Sequence, residues 1–245
     1  MRDHELAGLL AQEAGDVLLG VLAEGRAGGW TPSQIQDQGD HRAHEHLMAR
    51  LSELRPEDAV LSEEGSDDRA RLGADRVWII DPLDGTRDFA RAGSVEWAVH
   101  VALVEDGVPT AAAVSLPPSG GLYGTWVSVV DRTSNRDRPI IVTSRSQWGE
   151  AEEVAAAIGG VVRSCGSAGV KAMAVVSGAV DVYVHPSGLY EWDACAPAGV
   201  AMAAGLDVSG IDGSQLVFNK PRPVVAGLVV SRPEYTDRVL SALHW

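Results

Sequence analysis

The segment Val77–Phe89 reads VWIIDPLDGTRDF. Its apolar opening, rich in β-branched residues, predicts a buried strand over Arg76 to Ile80. That strand runs into Asp81, and Pro82-Leu83-Asp84-Gly85-Thr86 follow with the composition of a tight turn. Open α/β sheets bind ligands at the carboxyl ends of their strands. Asp81 and Asp84 are three residues apart, so one turn can aim both carboxylates inward. Two carboxylates brought together repel unless a proton or a cation lies between them. Hard divalent ions such as Mg²⁺ favour oxygen ligands of this kind. The alternative is a surface Asp-Gly turn with Asp81 capping a local amide.

Working outward, apolar residues at Leu6, Leu9, Leu10, Ala14, Val17, Leu18 and Val21 predict a helix from Asp3 to Glu24. The GRAGGW stretch breaks it, and a second helix is expected from about Asp40 to Leu54. A short strand at Ala59–Leu61 precedes the segment above. Beyond it, WAVHVALV, TAAAVSLP and LYGTWVSVV read as an antiparallel meander broken by Asp106-Gly107 and Pro117-Pro118. From Pro139 onward strands and helices alternate. Strands are expected at 139–143, 161–164, 181–184 and 224–230, and helices at 147–158, 167–177, 193–204 and 232–243. The pattern predicts an α+β half, residues 1–135, joined to an α/β half, residues 136–245, with the seam in the polar stretch 131–139.

The 245 residues carry 34 acids against 20 Lys plus Arg, a formal charge of −14. Nucleic acid as a general partner is excluded, because it requires a basic footprint. An acidic protein that handles an anionic substrate needs cations at its site, which metal ions supply. No uninterrupted apolar run reaches the length of a membrane span. The acidic MRDHELAGLL start is unlike a signal peptide, and Cys165 and Cys195 lack the spacing of a zinc or redox pair. A cytoplasmic location is the expectation.

Two further carboxylate groups stand out. Glu63-Glu64 follow the Ala59–Leu61 strand directly, a position equally open to a solvated loop. Glu191-Trp192-Asp193 precedes an apolar helix, where Asp193 would serve as an N-cap. Haloacid-dehalogenase-type phosphatases carry D-x-D-G-T after a strand, but here Pro82 stands where their nucleophilic aspartate would be. Asp40, Glu63-Glu64, Asp81-Pro82-Leu83-Asp84-Gly85-Thr86 and Trp192-Asp193 together, in that order, resemble the inositol monophosphatase superfamily of metal-dependent, lithium-sensitive phosphomonoesterases. The resemblance spans nearly the whole chain. It implies a layered αβαβα sandwich of the sugar-phosphatase type and a homodimer. It also implies two to three Mg²⁺ ions, with inhibition by Li⁺. Glu63, Asp81 and the Leu83 carbonyl would hold one ion. Asp81, Asp84 and Asp193 would hold a second, and a third would lie near Glu63 and Asp40. Thr86 and Glu63, assisted by Glu64, would activate water, and the Gly85 and Thr86 amides would cradle the phosphate.

Within that superfamily, inositol phosphatases carry a glutamate seven residues before the Trp-Asp aspartate, where this chain has Pro186. Val142-Thr143-Ser144-Arg145-Ser146, Glu96-Trp97-Ala98-Val99 and Gly166-Ser167 with Lys171 are similar instead to bacterial 3'-phosphoadenosine-5'-phosphate (PAP) phosphatases. The small-molecule substrate expected is therefore PAP, converted to AMP and phosphate, with 3'-phosphoadenylyl sulfate as a second substrate and sulfur assimilation as the context. Gly166, Ser167, Lys171 and His185 would contact it, although His185 stands where many relatives have arginine, a stronger phosphate grip. The alternative for Lys171 is a surface lysine on an amphipathic helix. Inositol 1-phosphate and fructose 1,6-bisphosphate remain alternative substrates, and a silent metal- or phosphate-binding protein is the alternative of another class. His41 and His44 are read as surface residues, and Trp126 and Trp148 as core, the alternative being an aromatic face offered to adenine.

Overall fold

A computed structural model describes residues 1–126 and 136–243. Two long helices open the chain, α1 (Asp3–Gly28) and α2 (Pro32–Leu54). Both run past their expected bounds. Gly29, at φ +66°, ends α1 with the left-handed residue that glycine tolerates. Thr31 starts α2 with a capping box: it accepts from the Gln34 amide, Gln34 returns the bond, and Pro32 takes the first helical position.

The first sheet has the order β1 (Ala59–Ser62), β2 (Arg76–Asp84), β3 (Ala98–Glu105), β4 (Val108–Leu116) and β5 (Gly121–Gly124). β1 runs parallel to β2, and the rest is the expected antiparallel meander. Asp106 and Gly107 form its two-residue hairpin loop, both at positive φ, as Asp-Gly loops require. Of the third expected strand only residues up to 124 are strand, and 127–130 lie outside the described residues. So do 131–135 of the expected seam.

After them come β6 (Ile140–Thr143), α4 (Trp148–Ile158), β7 (Val161–Ser164), α5 (Ala168–Val176), β8 (Val182–His185) and β9 (Leu189–Tyr190). The chain closes with α6 (Glu191–Ala203), β10 (Asp207–Ser209), β11 (Val224–Val225), β12 (Leu228–Ser231) and α7 (Pro233–Leu243). The numbering leaves α3 for the single turn Thr86–Phe89. The second sheet has the order β10-β12-β8-β6-β7, while β9 and β11 pair separately. The expected single strand 224–230 is thus two strands belonging to different sheets.

α1 and α2 cover one face of the first sheet, α5 and α6 fill the space between the sheets, and α4 and α7 cover the far face of the second. These are the five layers αβαβα. Because both faces of the first sheet are covered, its strands read as continuous apolar runs. Trp78, Ile80, Val99 and Val101 face α1 and α2, whereas Val77, Ile79, Ala98 and Ala102 face α5 and α6. The middle layer joins both sheets into one core, and the Ala-rich sequence of α6 lets it lie close to each. α1 has the length and apolarity of a membrane span, but its apolar residues Leu6, Leu10, Ala14, Leu18 and Val21 are buried in this core.

Candidate active site

β2 does not turn at Asp81. Its pairing with β3 continues to Asp84, opposite Ala98, with an irregularity in register between Asp81 and Asp84. That irregularity admits Pro82, which cannot donate to a ladder, and leaves Asp81 and Asp84 facing the middle layer. Gly85 follows at φ +94°, where a Cβ would come within 2.6 Å of the Glu96 carbonyl, so only glycine fits.

α6 supplies the third carboxylate. The helix begins at Glu191, with Tyr190 as its N-cap, so Asp193 lies inside the first turn and is not the cap the sequence suggested. One carboxylate oxygen each from Asp81, Asp84 and Asp193 lie within 4.8 Å of one another. Asp81 is fully buried; its Oδ1 accepts from the Leu83 amide at 2.9 Å, while its Oδ2 has no hydrogen-bond partner. Such an orphaned carboxylate oxygen is costly unless a proton or a cation compensates it. Asp84 Oδ2 accepts from the Ser167 hydroxyl and from the Gly169 amide at 2.8 Å.

Burial, with the carboxylates of Glu63, Asp84 and Asp193, drives the Asp81 carboxyl well above its ordinary range. Asp193 is pushed up to about 7, by burial first and then by Asp84 and Glu63. Glu63 reaches solvent, but partial burial of its carboxyl, and then the charges of Glu64 and Asp84, raise it too. Asp84 goes the other way. Burial raises it, but the charges of His100 and Lys171 and the Ser167 hydroxyl pull it below the carboxylate norm.

Asp40 and Thr86 form the opposite wall. The Thr86 hydroxyl lies 3.3 Å from Asp40 Oδ1 and 3.2 Å from the Leu83 carbonyl and can donate to either. Burial, then Glu64 and Glu63, push Asp40 up to about 7. Gly85, Thr86 and Gly166 line a cavity of about 540 Å³ that opens beside the carboxylates.

Several expectations change here. α3 is a single turn, so its dipole contributes little to phosphate binding. Lys171 is neither a surface residue nor free for a substrate phosphate. It is buried over the Tyr183 ring, and its ammonium donates to the carbonyls of Cys165, Gly166 and Ser167, which uses its three donors. Ser167 likewise faces Asp84 and caps α5 through the Val170 amide. His185 is held neutral, pushed down to about 4 by burial, and does not line the cavity. His44 is half-buried against Ser62, at 2.9 Å, whereas His41 is exposed as expected. Trp126 and Trp148 are exposed and not core.

The sequence reading missed three groups. His100, opposite Asp81 on β3, is fully buried, with Nε2 3.2 Å from Asp84 Oδ2 but poorly aligned, and Nδ1 3.1 Å from the Trp192 carbonyl. Arg71 is buried and donates to Asp67, Asn219 and the Lys220 carbonyl. It thereby ties the loop after Glu64 to residues 219–220, whose amides bond Glu191. Arg87, Arg91 and Arg145 line the cavity; of these Arg145 stood in a segment already singled out, but without a role. The pair Arg87 and Arg91, four apart beside Thr86, was the available signal for the last group.

The profile of the inositol monophosphatase family matches residues 5–244, and the chain belongs to that family. Over its full length it is 41% identical to a Mycobacterium leprae protein named 3'-phosphoadenosine 5'-phosphate phosphatase, of which it covers 94%. A Mycobacterium bovis protein of the same name is 43% identical over 94% of this chain and 89% of its own. Among solved structures, CysQ from Bacteroides thetaiotaomicron, a bacterial member of the inositol monophosphatase family, superimposes with a TM-score of 0.78 at 27% identity. That match covers 93% of this chain and 96% of the other.

Proposed function

We propose that the chain is a Mg²⁺-dependent phosphomonoesterase that converts PAP and water to AMP and phosphate, and that it also accepts 3'-phosphoadenylyl sulfate. The observation that carries the metal dependence is the unpartnered Asp81 Oδ2 inside the Asp81, Asp84 and Asp193 cluster. Its hard, uncompensated oxygens suit Mg²⁺. Glu63, Asp81 and the Leu83 carbonyl would hold one ion, and Asp81, Asp84 and Asp193 another. Bound there, Mg²⁺ supplies charge neutralisation and polarisation of the phosphoryl oxygens.

The rest falls to the chain. Asp84 is fixed by Ser167 and Gly169, so its position does not depend on the ion. Gly85 and Thr86, which line the cavity, bring the backbone against the scissile phosphate. Thr86 orients the attacking water, and Glu63, raised above the ordinary carboxylate range, accepts its proton with Glu64 nearby. The new P–O bond forms as the bond to the ribose 3'-oxygen breaks, and that oxygen leaves as the hydroxyl of AMP, taking its proton from solvent water while Glu63 returns its own to solvent. The choice of PAP rests on the two mycobacterial relatives and on Pro186, which offers no carboxylate to an inositol ring.

The test is phosphate release from PAP. Activity is expected with Mg²⁺, not in EDTA, and not in Asp84→Asn. Full activity in EDTA would overturn the metal reading. A fully active Asp84→Asn variant would overturn the ligand set.

A further inference from the structure

The cavity that starts at Gly85 and Thr86 is walled farther out by Arg87, Arg91 and Arg145. Three guanidinium groups converging on one hollow are unexpected in a chain of charge −14. Two buried or half-buried carboxylates stand behind them. Arg91 Nη2 lies 2.6 Å from Asp88 Oδ1, and Arg145 Nη2 lies 2.9 Å from Glu96 Oε2. Arg145 Nη1 is 3.8 Å from Asp88 Oδ2. The carboxylates are themselves fixed. Glu96 Oε2 accepts from the Gly166 amide at 2.9 Å, and a Cβ at Gly166 would meet Asp88 Oδ2 at 2.0 Å.

The arginine side chains remain half exposed, at 54% for Arg91 and 56% for Arg145. Each guanidinium has five donors, more than the carboxylates and the Ser94 hydroxyl take up, and both side chains line the cavity. Arg87 is exposed and makes no ion pair among the described residues. Three cations against two carboxylates leave this wall net positive, and the hydroxyls of Ser144 and Ser146 border it. A planar fork held by a rear carboxylate is preorganised for bidentate contact with a phosphate.

We propose that Arg87, Arg91 and Arg145 bind the phosphate that is not cleaved, and so select bisphosphorylated esters over monophosphates. This rests on the reading that Gly85 and Thr86 hold the phosphate that is cleaved. The experiment compares kcat/KM for PAP and for 3'-AMP, which share the scissile bond and differ only in the 5'-phosphate. The wild-type ratio is expected to favour PAP a hundredfold or more. Each of Arg87→Gln, Arg91→Gln and Arg145→Gln should lower that ratio about tenfold, the worth of one charge-assisted hydrogen bond.

A purely structural arginine would lower both rates together and leave the ratio intact. If Arg145→Gln does not fold, Arg145→Lys, which keeps the charge without the fork, should lower the ratio by a smaller factor. An arm with 3'-phosphoadenylyl sulfate separates the two possible 5'-groups: an equal loss for both substrates means that the arginines grip the α-phosphate the two share. A loss confined to that substrate would mean that they read its sulfate, which overturns the assignment to phosphate. A ratio indifferent to all three Arg→Gln substitutions overturns the arginine wall alone. Hydrolysis of neither PAP nor 3'-AMP by the wild type overturns the nucleotide reading on which it rests.

Discussion

Gly169→Ala is a one-methyl perturbation aimed at the Asp81, Asp84 and Asp193 cluster from behind. Gly169 lies in the first turn of α5, and its amide donates to Asp84 Oδ2 at 2.8 Å. A Cβ there would sit 2.2 Å from His100 Nε2 and 3.0 Å from the Ala98 Cβ. Restoring ordinary contact requires a relative shift of about 1 Å. His100 cannot supply it freely, since it is fully buried and its Nδ1 lies 3.1 Å from the Trp192 carbonyl. α5 must therefore move, and Asp84 with it. Overpacking costs about 1–3 kcal/mol, and replacing a helical glycine by alanine returns about 1 kcal/mol. The net destabilisation is at most about 2 kcal/mol, or roughly 4–8 °C in Tm for a chain of this size. Catalysis is far more sensitive: a displacement of about 1 Å costs on the order of a hundredfold. Phosphate release and a thermal melt on one preparation read both. The expected outcome is kcat reduced about a hundredfold with a modest fall in Tm. Activity within twofold of wild type, at an unchanged Tm, would refute the claim that Gly169 and His100 fix Asp84.

Three other outcomes follow from the same contacts. In EDTA the protein should lose stability as pH rises from about 4 to 7, because the folded Asp193 carboxyl binds its proton more tightly than the unfolded one. At roughly 1.4 kcal/mol per unit this reaches at most about 4 kcal/mol, and saturating Mg²⁺ should abolish it; a metal-free Tm that is flat or rises over that range would contradict the clustering. Lys171→Met should lower Tm by several degrees by orphaning up to three carbonyls, at about 1–3 kcal/mol, whereas a rise in KM at constant Tm would mean that the ammonium meets the substrate after all. Arg71→Met should cost about 1–3 kcal/mol, since it leaves the Asn219 amide oxygen and the Lys220 carbonyl without their donor; a denaturant melt with an unchanged midpoint would count against that network.

Much of this site was readable because its chemistry is contiguous. Asp81 to Thr86 supply two carboxylates, a carbonyl, a hydroxyl and the obligatory glycine within six residues, and Asp193 is marked by its neighbour Trp192. The layers were readable in outline, since the meander's period and the later alternation of strand and helix are local signals. The losses came where the decisive partner is remote. Nothing near Lys171 tells that its ammonium folds back onto carbonyls four to six residues earlier. Arg71 finds Asn219 across 148 positions. His100 looks like one more strand residue until pairing sets it opposite Asp81. Pro82 argued for a turn, and only a register irregularity between β2 and β3 keeps the strand going. The start of α2 is different: Thr31, Pro32 and Gln34 announce it, and the glycines before them masked the signal.

Phosphate release measured side by side on PAP, inositol 1-phosphate and fructose 1,6-bisphosphate, with Mg²⁺, with EDTA and with added Li⁺, is the most direct test of the proposed reaction. A Mg²⁺-dependent, Li⁺-inhibited preference for PAP of a hundredfold or more in kcat/KM is expected, about 2.7 kcal/mol of transition-state discrimination. Equal rates on all three would contradict selection of a nucleotide, and no Mg²⁺-dependent release from any of them would contradict the reaction itself.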